Sequence, residues 1–214
     1  KLPKEPFVSK VMTFRRAAPP IFFAALLSVA SAGCSTALVG GDVVVSSCTQ
    51  VGDLNIPAVA SGNSVTISDS VITAASGPGI SFSAALTGVT IAISSTTVSA
   101  QAGVRFMGAL SSVVLTVTGL HMTKTVAGGS SSGLYFDETV TGGSTTVDGG
   151  TTLLGFYDSV KFTKAMAGHT VVIADSRLQG TNCGLRTGQT IAASSFAVAA
   201  VSIASKQGIC FYST

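Results

Sequence analysis

The chain has 214 residues, of which 46% are apolar, 10% are charged and 24 are Gly. A soluble domain usually carries about 25% charged residues, and a disordered chain lacks apolar ones. The composition therefore excludes ordinary disorder and is unusual for a globular domain. Of the 12 basic and nine acidic residues, five basic and one acidic lie within the first 16 positions. The remaining chain has no basic cluster, so no nucleic-acid partner is expected.

The first predicted element is a signal peptide over residues 12–32. Arg15 and Arg16 provide a short basic region, and an apolar core follows at residues 21–30. The tripeptide Ala30-Ser31-Ala32 then supplies the small-x-small pattern that signal peptidase accepts. The core is shorter than the ~20 apolar residues that a transmembrane helix needs.

Cleavage after Ala32 would leave residues 33–214 as the mature chain, secreted or exposed at the cell surface. Residues 1–11 are interpreted as upstream sequence that does not belong to the native protein. Two alternatives stay open: the apolar core could be a buried helix, and Cys34 could follow a bacterial lipoprotein site. Beyond residue 40, polar residues interrupt every apolar run, so no membrane span is expected after signal removal.

A tetrapeptide with Gly first, an aliphatic residue second and Phe fourth recurs along the mature chain. The fourth residues of successive copies are 24, 30, 26, 25 and 24 positions apart. The longest interval contains a Gly/Ser-rich insertion at residues 126–132. The six copies, one with Ser first and one with Thr fourth, are Gly79–Phe82, Gly103–Phe106, Gly133–Phe136, Ser159–Phe162, Gly184–Thr187 and Gly208–Phe211.

This period predicts an all-β chain folded as a right-handed, single-stranded parallel β-helix over roughly residues 41–211, with about seven coils. Short strands cannot bury a face alone, whereas stacked coils bury a continuous core. Side chains alternate along a strand, so the aliphatic and aromatic residues of the tetrapeptides, including Phe211, are expected to stack inward. An antiparallel β-sandwich, whose strands return every ~8–12 residues, is the alternative. A second short β-prone run precedes each tetrapeptide, and its anchor, usually fifteen residues before the tetrapeptide ends, falls at Ile67, Ile91, Val147, Val172 and Phe196.

The third residues of the tetrapeptides are expected to point outward, one coil apart. Among them, three cations flank or follow an aromatic ring. Such a column suits an anionic glycan, through charge-assisted hydrogen bonds and stacking. The alternative is that outward positions are simply polar and that the long cation stems cover apolar wall. The column comprises Ser81, Arg105, Tyr135, Lys161, Arg186 and Cys210.

The V-x-I … G-[IVL]-x-F coil resembles the pectin-lyase-like parallel β-helix over most of the chain. With its secretory leader and Ser/Thr/Val/Gly-rich imperfect coils, the chain also resembles the dispersed gene family of very large trypanosomatid surface proteins. This resemblance implies an extracellular, glycosylated, adhesion-associated protein with many more coils. Its expected partners are anionic glycans or host surface and matrix proteins. The alternative function, a polysaccharide lyase or glycoside hydrolase, rests on the same fold analogy.

No catalytic residue, metal site or cofactor is predicted from the sequence. A glycoside hydrolase needs two carboxylates about 5–9.5 Å apart, and Asp148 and Asp175 on neighbouring coils come nearest to that requirement. A turn Asp bonded to its own backbone is the alternative for each. Convergence of these two with Asp158 beside an Arg would instead favour an enzyme. His121 and His169 lack Cys or carboxylate residues at metal-ligand spacing.

Four Cys residues in a secreted chain permit disulfides. We expect Cys34 to bond Cys48 and to tie the mature N-terminus to the first coil. Cys183 and Cys210 lie on adjacent coils but three columns apart. That offset is about 10 Å along a strand, too far for a disulfide unless the turn shifts.

The last predicted coil has no cap of its own. Phe211 occupies the aromatic position of the repeat and only three residues follow it. Solenoids end in capping elements, because an open coil exposes strand edges and core side chains. We therefore expect residues 33–214 to be the N-terminal part of a longer solenoid, and this chain alone to self-associate end to end.

Overall fold

The computed structural model describes residues 33–126 and 129–212. The predicted signal peptide and the upstream segment lie outside the described residues. Within them the chain is entirely β-structure and turns. No helix long and apolar enough to cross a membrane occurs in this part of the chain.

Twenty-three strands follow one another along the described chain. In order, they are β1 (Ala37–Val39), β2 (Asp42–Ser46), β3 (Thr49–Val51), β4 (Leu54–Ile56), β5 (Ser64–Ser68), β6 (Val71–Phe82), β7 (Leu86–Thr87), β8 (Thr90–Ser94), β9 (Thr97–Phe106), β10 (Leu110–Ser111), β11 (Val114–Thr118), β12 (His121–Lys124), β13 (Ser132–Phe136), β14 (Val140–Thr141), β15 (Ser144–Asp148), β16 (Thr152–Phe162), β17 (Met166–Ala167), β18 (Thr170–Ala174), β19 (Arg177–Thr187), β20 (Ile191–Ala192), β21 (Ser195–Ala199), β22 (Ser202–Ile203) and β23 (Ile209–Phe211).

The strands form three sheets, which are the faces of the solenoid, and the coils between the first and the last contribute to all of them in turn. The first face has the order β1-β2-β5-β8-β11-β15-β18-β21, the third has β7-β10-β14-β17-β20, and the second contains the long strands β6, β9, β16 and β19. Every described strand pair is parallel except β1–β2. This topology is a parallel β-solenoid of about seven turns. It confirms the predicted fold class, and the β-sandwich alternative is wrong.

The corner that follows the first face holds its residues in the left-handed backbone region. Asp69, Ser95 and Asp175 have φ angles of 49°, 46° and 41°, a region that Gly adopts freely and Asp tolerates. The backbone N–H of Asp69 donates to the carbonyl of Ser94 at 3.2 Å, and that of Ser95 to Thr118 at 3.0 Å. The Gly, Ser and Asp turns of the sequence therefore become a hydrogen-bonded ladder along one edge of the solenoid.

Four phenylalanine rings stack through the centre of the core. The ring centroids of Phe82 and Phe106 are 4.6 Å apart, those of Phe106 and Phe136 4.9 Å, and those of Phe136 and Phe162 4.3 Å. Each residue is only 1% exposed. Full burial of such a side chain stabilises the fold by about 1.5–3 kcal/mol, so this column is a main source of stability. Thr187, 2% exposed, continues the column on the next coil.

Two details of the predicted core are wrong. Phe211 is 57% exposed and contacts the edge of the Phe196 ring at 5.4 Å, because no described strand packs beyond β23. Ile209, predicted to stack inward in the aliphatic column, is 38% exposed for the same reason. Among the anchors of the second run, Val172 is out of register, because Val147 pairs with Ile173. A fixed offset from the tetrapeptide fails there because the coils contain register shifts, for example between Leu154 and Phe156.

The N-terminal edge of the first face is covered by an antiparallel strand. Strand β1 pairs with β2 through a turn at Gly40 and Gly41, which have φ angles of 62° and 96°. A disulfide between Cys34 and Cys48, with a Cα separation of 5.1 Å, holds the segment before β1 against the first coil. Because β1 already occupies the hydrogen-bonding edge of β2 in the antiparallel direction, it limits the pairing of a further parallel strand at that edge.

Cys183 and Cys210 also form a disulfide, with a Cα separation of 6.1 Å. The prediction that they lie too far apart is wrong. It assumed straight strands, whereas the chain bends sharply between Gly180 and Cys183, where a Cβ on Gly180 would overlap the Cys183 carbonyl. Gly208, two residues before Cys210, has a φ of 64°, a region that Gly adopts freely.

Candidate functional site

The third residues of the tetrapeptides lie in one register along the second face. Arg105 pairs with Tyr135, Tyr135 with Lys161, and Lys161 with Arg186. Asn55 on β4 precedes Ser81 in the same register and extends the column to the first coil. We call this set the outward column, and it comprises Asn55, Ser81, Arg105, Tyr135, Lys161, Arg186 and Cys210.

Two members expected to point outward are buried. Ser81 is 1% exposed, because its hydroxyl donates to the Asp53 carboxylate at 2.7 Å and the Asp53 and Asn55 side chains cover it. Desolvation raises the pKa of Asp53, and the hydrogen bond from Ser81 opposes that rise. Cys210 is 7% exposed, because its sulfur bonds Cys183. The accessible cations therefore lie in the middle of the column, between these two covered ends.

Two of the three cations are paired with carboxylates that the sequence did not reveal as partners. Nε of Arg105 donates to Asp137 at 2.7 Å, and Nη1 of Arg186 donates to Asp158 at 3.4 Å. In the described part of the chain, no carboxylate lies within salt-bridge distance of Lys161. The charge of the column is thus largely balanced internally, and Lys161 is its uncompensated cation.

Tyr135 lies between two cations on neighbouring coils. The guanidinium carbon of Arg105 is 5.4 Å from the ring centroid, and Nζ of Lys161 is 5.1 Å from it. Such cation–π contacts contribute about 0.5–1 kcal/mol each at exposed sites. Burial raises the pKa of Tyr135 above its ordinary value of 10.0, so the phenol is neutral at physiological pH. Because Arg105 and Lys161 lie over the ring of Tyr135, the ring is less available for the stacking on a ligand that the sequence predicted. A ligand that approaches the column would contact the charged groups before the ring.

A groove of about 310 Å³ opens beside Arg105 and Tyr135. It arises from the Gly/Ser insertion. In the preceding coil β9 runs without a break across the second face, whereas the coil with the insertion is split into β12 and β13. Gln101, Ser130 and Ser131 complete the polar part of the groove wall. The sequence revealed the insertion but gave no indication that it encloses space beside the column.

Asp158 does not converge with the other two carboxylates considered for catalysis. Asp158 is fully buried, accepting hydrogen bonds from Asn182 Nδ2 at 2.9 Å and from the Cys183 backbone at 3.2 Å. Asp148 ends β15 on the first face and accepts a hydrogen bond from Thr118 at 2.7 Å. Asp175 lies at the corner after β18. Asp158 therefore serves a structural network, away from the other two carboxylates.

The two histidines occupy different environments. His121 is exposed and contacts Thr152 through Nδ1 at 2.7 Å. His169, 1% exposed, is enclosed in the core, where desolvation lowers its pKa below the ordinary value of 6.5. Within residues 33–126 and 129–212, no group of three His, Cys, Asp or Glu residues could hold a metal ion.

Comparisons with known proteins identify no relative. No family model matches the chain, and neither the curated proteins nor the solved structures contain a significant match.

Proposed function

We propose that the protein is a secreted or cell-surface interaction module that binds anionic glycans along the outward column. The observation that carries this proposal is the register that aligns Arg105, Tyr135, Lys161 and Arg186 on successive coils. Adjacent strands lie about 4.8 Å apart, so the uncompensated Lys161 lies one strand from Arg186 and two strands from Arg105 on a rigid wall. A linear polyanion could contact several of them at once, which raises its affinity through multivalency.

The extracellular part of the proposal rests on the signal-peptide pattern of residues 12–32 and on the resemblance of the repeat sequence to the dispersed gene family of surface proteins, whose members are associated with adhesion. The parallel solenoid supports the fold alone. A lyase or hydrolase is less well supported, because Asp158 is enclosed and Asp148 is hydrogen-bonded on another face. Incubation with polygalacturonate would detect such an enzyme by the release of unsaturated or reducing sugars.

Retention on immobilised heparin tests the proposed function. Lys161→Gln removes the uncompensated cation of the column, and we expect it to elute at lower salt than the wild type, with Lys161→Arg restoring retention. Arg177→Gln is the matched control, because Arg177 is exposed and donates only to Gln179 among described residues. Arg186 is left intact, since its loss would leave Asp158 buried without a cation. Equal elution of Lys161→Gln and Arg177→Gln would refute glycan binding by the column.

A second proposal concerns the outer side of the last described coil. Val198, Ile209, Phe211 and Tyr212 are 40%, 38%, 57% and 41% exposed there. We propose that this apolar surface packs against a second copy of this chain. Light scattering should then show concentration-dependent association that Phe211→Ser weakens. A monomer at every concentration would contradict the proposal.

A further inference from the structure

The groove beside Arg105 carries hydrogen-bond donors without matching acceptors, and we propose that it binds a tetrahedral oxyanion, the sulfate or phosphate ester group of an anionic ligand. The inference deepens the proposed function and rests on it only for the identity of the larger ligand. The groove wall includes Gln101, Arg105, Ser131 and Tyr135, and no carboxylate lines it among the described residues.

Arg105 supplies the charge of this site. Its Nε donates to Asp137 at 2.7 Å, which fixes the plane of the guanidinium. Nη1 and Nη2 donate to no residue in the described part of the chain, although the side chain lines the groove and is 39% exposed. A guanidinium stays protonated and has five N–H donors, so four of them remain for a ligand.

Two further donors lie nearby on the walls. The Gln101 Oε1 atom accepts from the backbone N–H of Gly77 at 3.2 Å, which assigns Nε2 as a donor without a described acceptor. Ser130 also lines the groove and is exposed, and its hydroxyl makes no hydrogen bond to another described residue.

The arrangement of the donors favours a tetrahedral anion over a planar carboxylate. Gln101 and Arg105 belong to β9, whereas Ser130 precedes β13 on the next coil. The oxygens of a tetrahedral anion point in several directions and can accept hydrogen bonds from both coils. The two oxygens of a planar carboxylate are matched best by the paired N–H groups of one guanidinium. The volume of about 310 Å³ exceeds that of the anion and leaves room for the sugar that carries it.

Titration calorimetry of the full 214-residue chain with sodium sulfate and sodium phosphate, at constant ionic strength, tests this site. We expect one weak site for each anion and weaker binding of acetate. Arg105→Gln should weaken sulfate binding about tenfold and Gln101→Leu about threefold. Arg177→Gln is the control, because Arg177 does not line the groove and is not part of the outward column. Circular dichroism checks that each variant is folded, and Ser130→Ala substitutes for Arg105→Gln if the latter is not.

The outcomes separate this site from the proposed function. Sulfate binding that survives both Arg105→Gln and Gln101→Leu would overturn the oxyanion site, as would acetate binding as tight as that of sulfate. Loss of sulfate binding in Arg105→Gln alongside unchanged heparin retention in Lys161→Gln would support the site while refuting glycan binding along the column. Phosphate binding without sulfate binding would assign the site to phosphate esters.

Discussion

The Nε2 atom of His169 lies 3.0 Å from Oγ1 of Thr145 on the preceding coil, inside the core. On the other side of the ring, Nδ1 lies 2.6 Å from the carbonyl oxygen of Gly142. A carbonyl only accepts, so Nδ1 carries the proton and Nε2 accepts from the Thr145 hydroxyl. The neutral ring is therefore fully hydrogen-bonded, and a second proton would place a charge in the solenoid interior.

We predict that acidification destabilises the protein through His169. Desolvation lowers its pKa in the folded state below 6.5, the ordinary value, so the unfolded chain binds the proton more readily. The stability contributed by the neutral ring is present above pH 6.5 and is lost as the pH falls through the folded-state pKa. Urea unfolding of the wild type should therefore show a falling midpoint as the pH is lowered from 7.5, about one unit above the unfolded pKa.

The variant His169→Gln separates this effect from carboxylate titration. It should be less stable than the wild type at neutral pH, because it loses the paired hydrogen bonds of the ring, yet its midpoint should change less with acidification. His121→Gln is the matched control, since His121 is exposed, and it should retain the pH dependence of the wild type. If His169→Gln and wild type show parallel pH profiles, His169 is not the titrating group.

The stacked phenylalanines give a second prediction. Phe136→Ala removes a ring that lies between Phe106 and Phe162, and we expect it to destabilise the protein by about 3–5 kcal/mol. Phe136→Leu keeps most of the volume and should cost less. Phe211→Ala is the control, because that ring is 57% exposed, and it should cost under about 1 kcal/mol. Similar losses at Phe136 and Phe211 would mean that the stack does not dominate the core.

The glycines that open the tetrapeptides are explained by close approach of neighbouring coils. A Cβ on Gly103 would overlap the carbonyl oxygen of Gly133 and lie 2.6 Å from Sδ of Met122. Gly103→Ala should therefore destabilise the protein by about 1–3 kcal/mol through overpacking. Gly150 is the comparison, since it has open space around it and a φ of 77°. Gly150→Ala should cost only the backbone strain, about 1 kcal/mol. Calorimetric melting would distinguish the two, and equal losses would contradict the packing explanation.

The period of the repeat was sufficient to predict the stacking of residues on successive coils. The phenylalanine column and the outward order Arg105, Tyr135, Lys161 and Arg186 depend only on which residues share a position in the coil. These pairings are predicted correctly even where a coil contains an insertion, because the position of each residue is counted within the tetrapeptide of its own coil. Val172 shows where the period fails: register shifts change the distance between faces, so an offset counted across them points to the wrong side of the strand.

The remaining features of the site depend on side-chain direction and local bends. Arg105 and Asp137 are 32 positions apart and Arg186 and Asp158 are 28 apart, separations that differ from one another and from the basic period. No repeat could therefore predict those pairs. The groove depends on where the insertion before β13 lies, and the Cys183–Cys210 bond depends on the bend at Gly180.

The last prediction is that the Cys183–Cys210 disulfide holds the final coil in place. That coil has only two short strands on the second face, β22 and β23. Its apolar residues Ile209 and Phe211 are 38% and 57% exposed, so they contribute little burial. A disulfide that closes a loop of 27 positions stabilises by about 3 kcal/mol in the chain-entropy description, which is large beside the packing of this coil.

In a solenoid each coil contacts only its neighbours, so loss of this bond should act locally. The double variant Cys183→Ser/Cys210→Ser should lose hydrogen-exchange protection across residues 195–212 while strands β8 and β11 keep theirs. Cys34→Ser/Cys48→Ser is the matched control, since its disulfide lies at the other end; it should reduce protection in β1 and β2 and leave the last coil unchanged. Protection of residues 195–212 that persists without Cys183 and Cys210 would show that strand pairing alone holds the final coil. Loss of protection throughout the chain would show instead that the coils unfold as one cooperative unit.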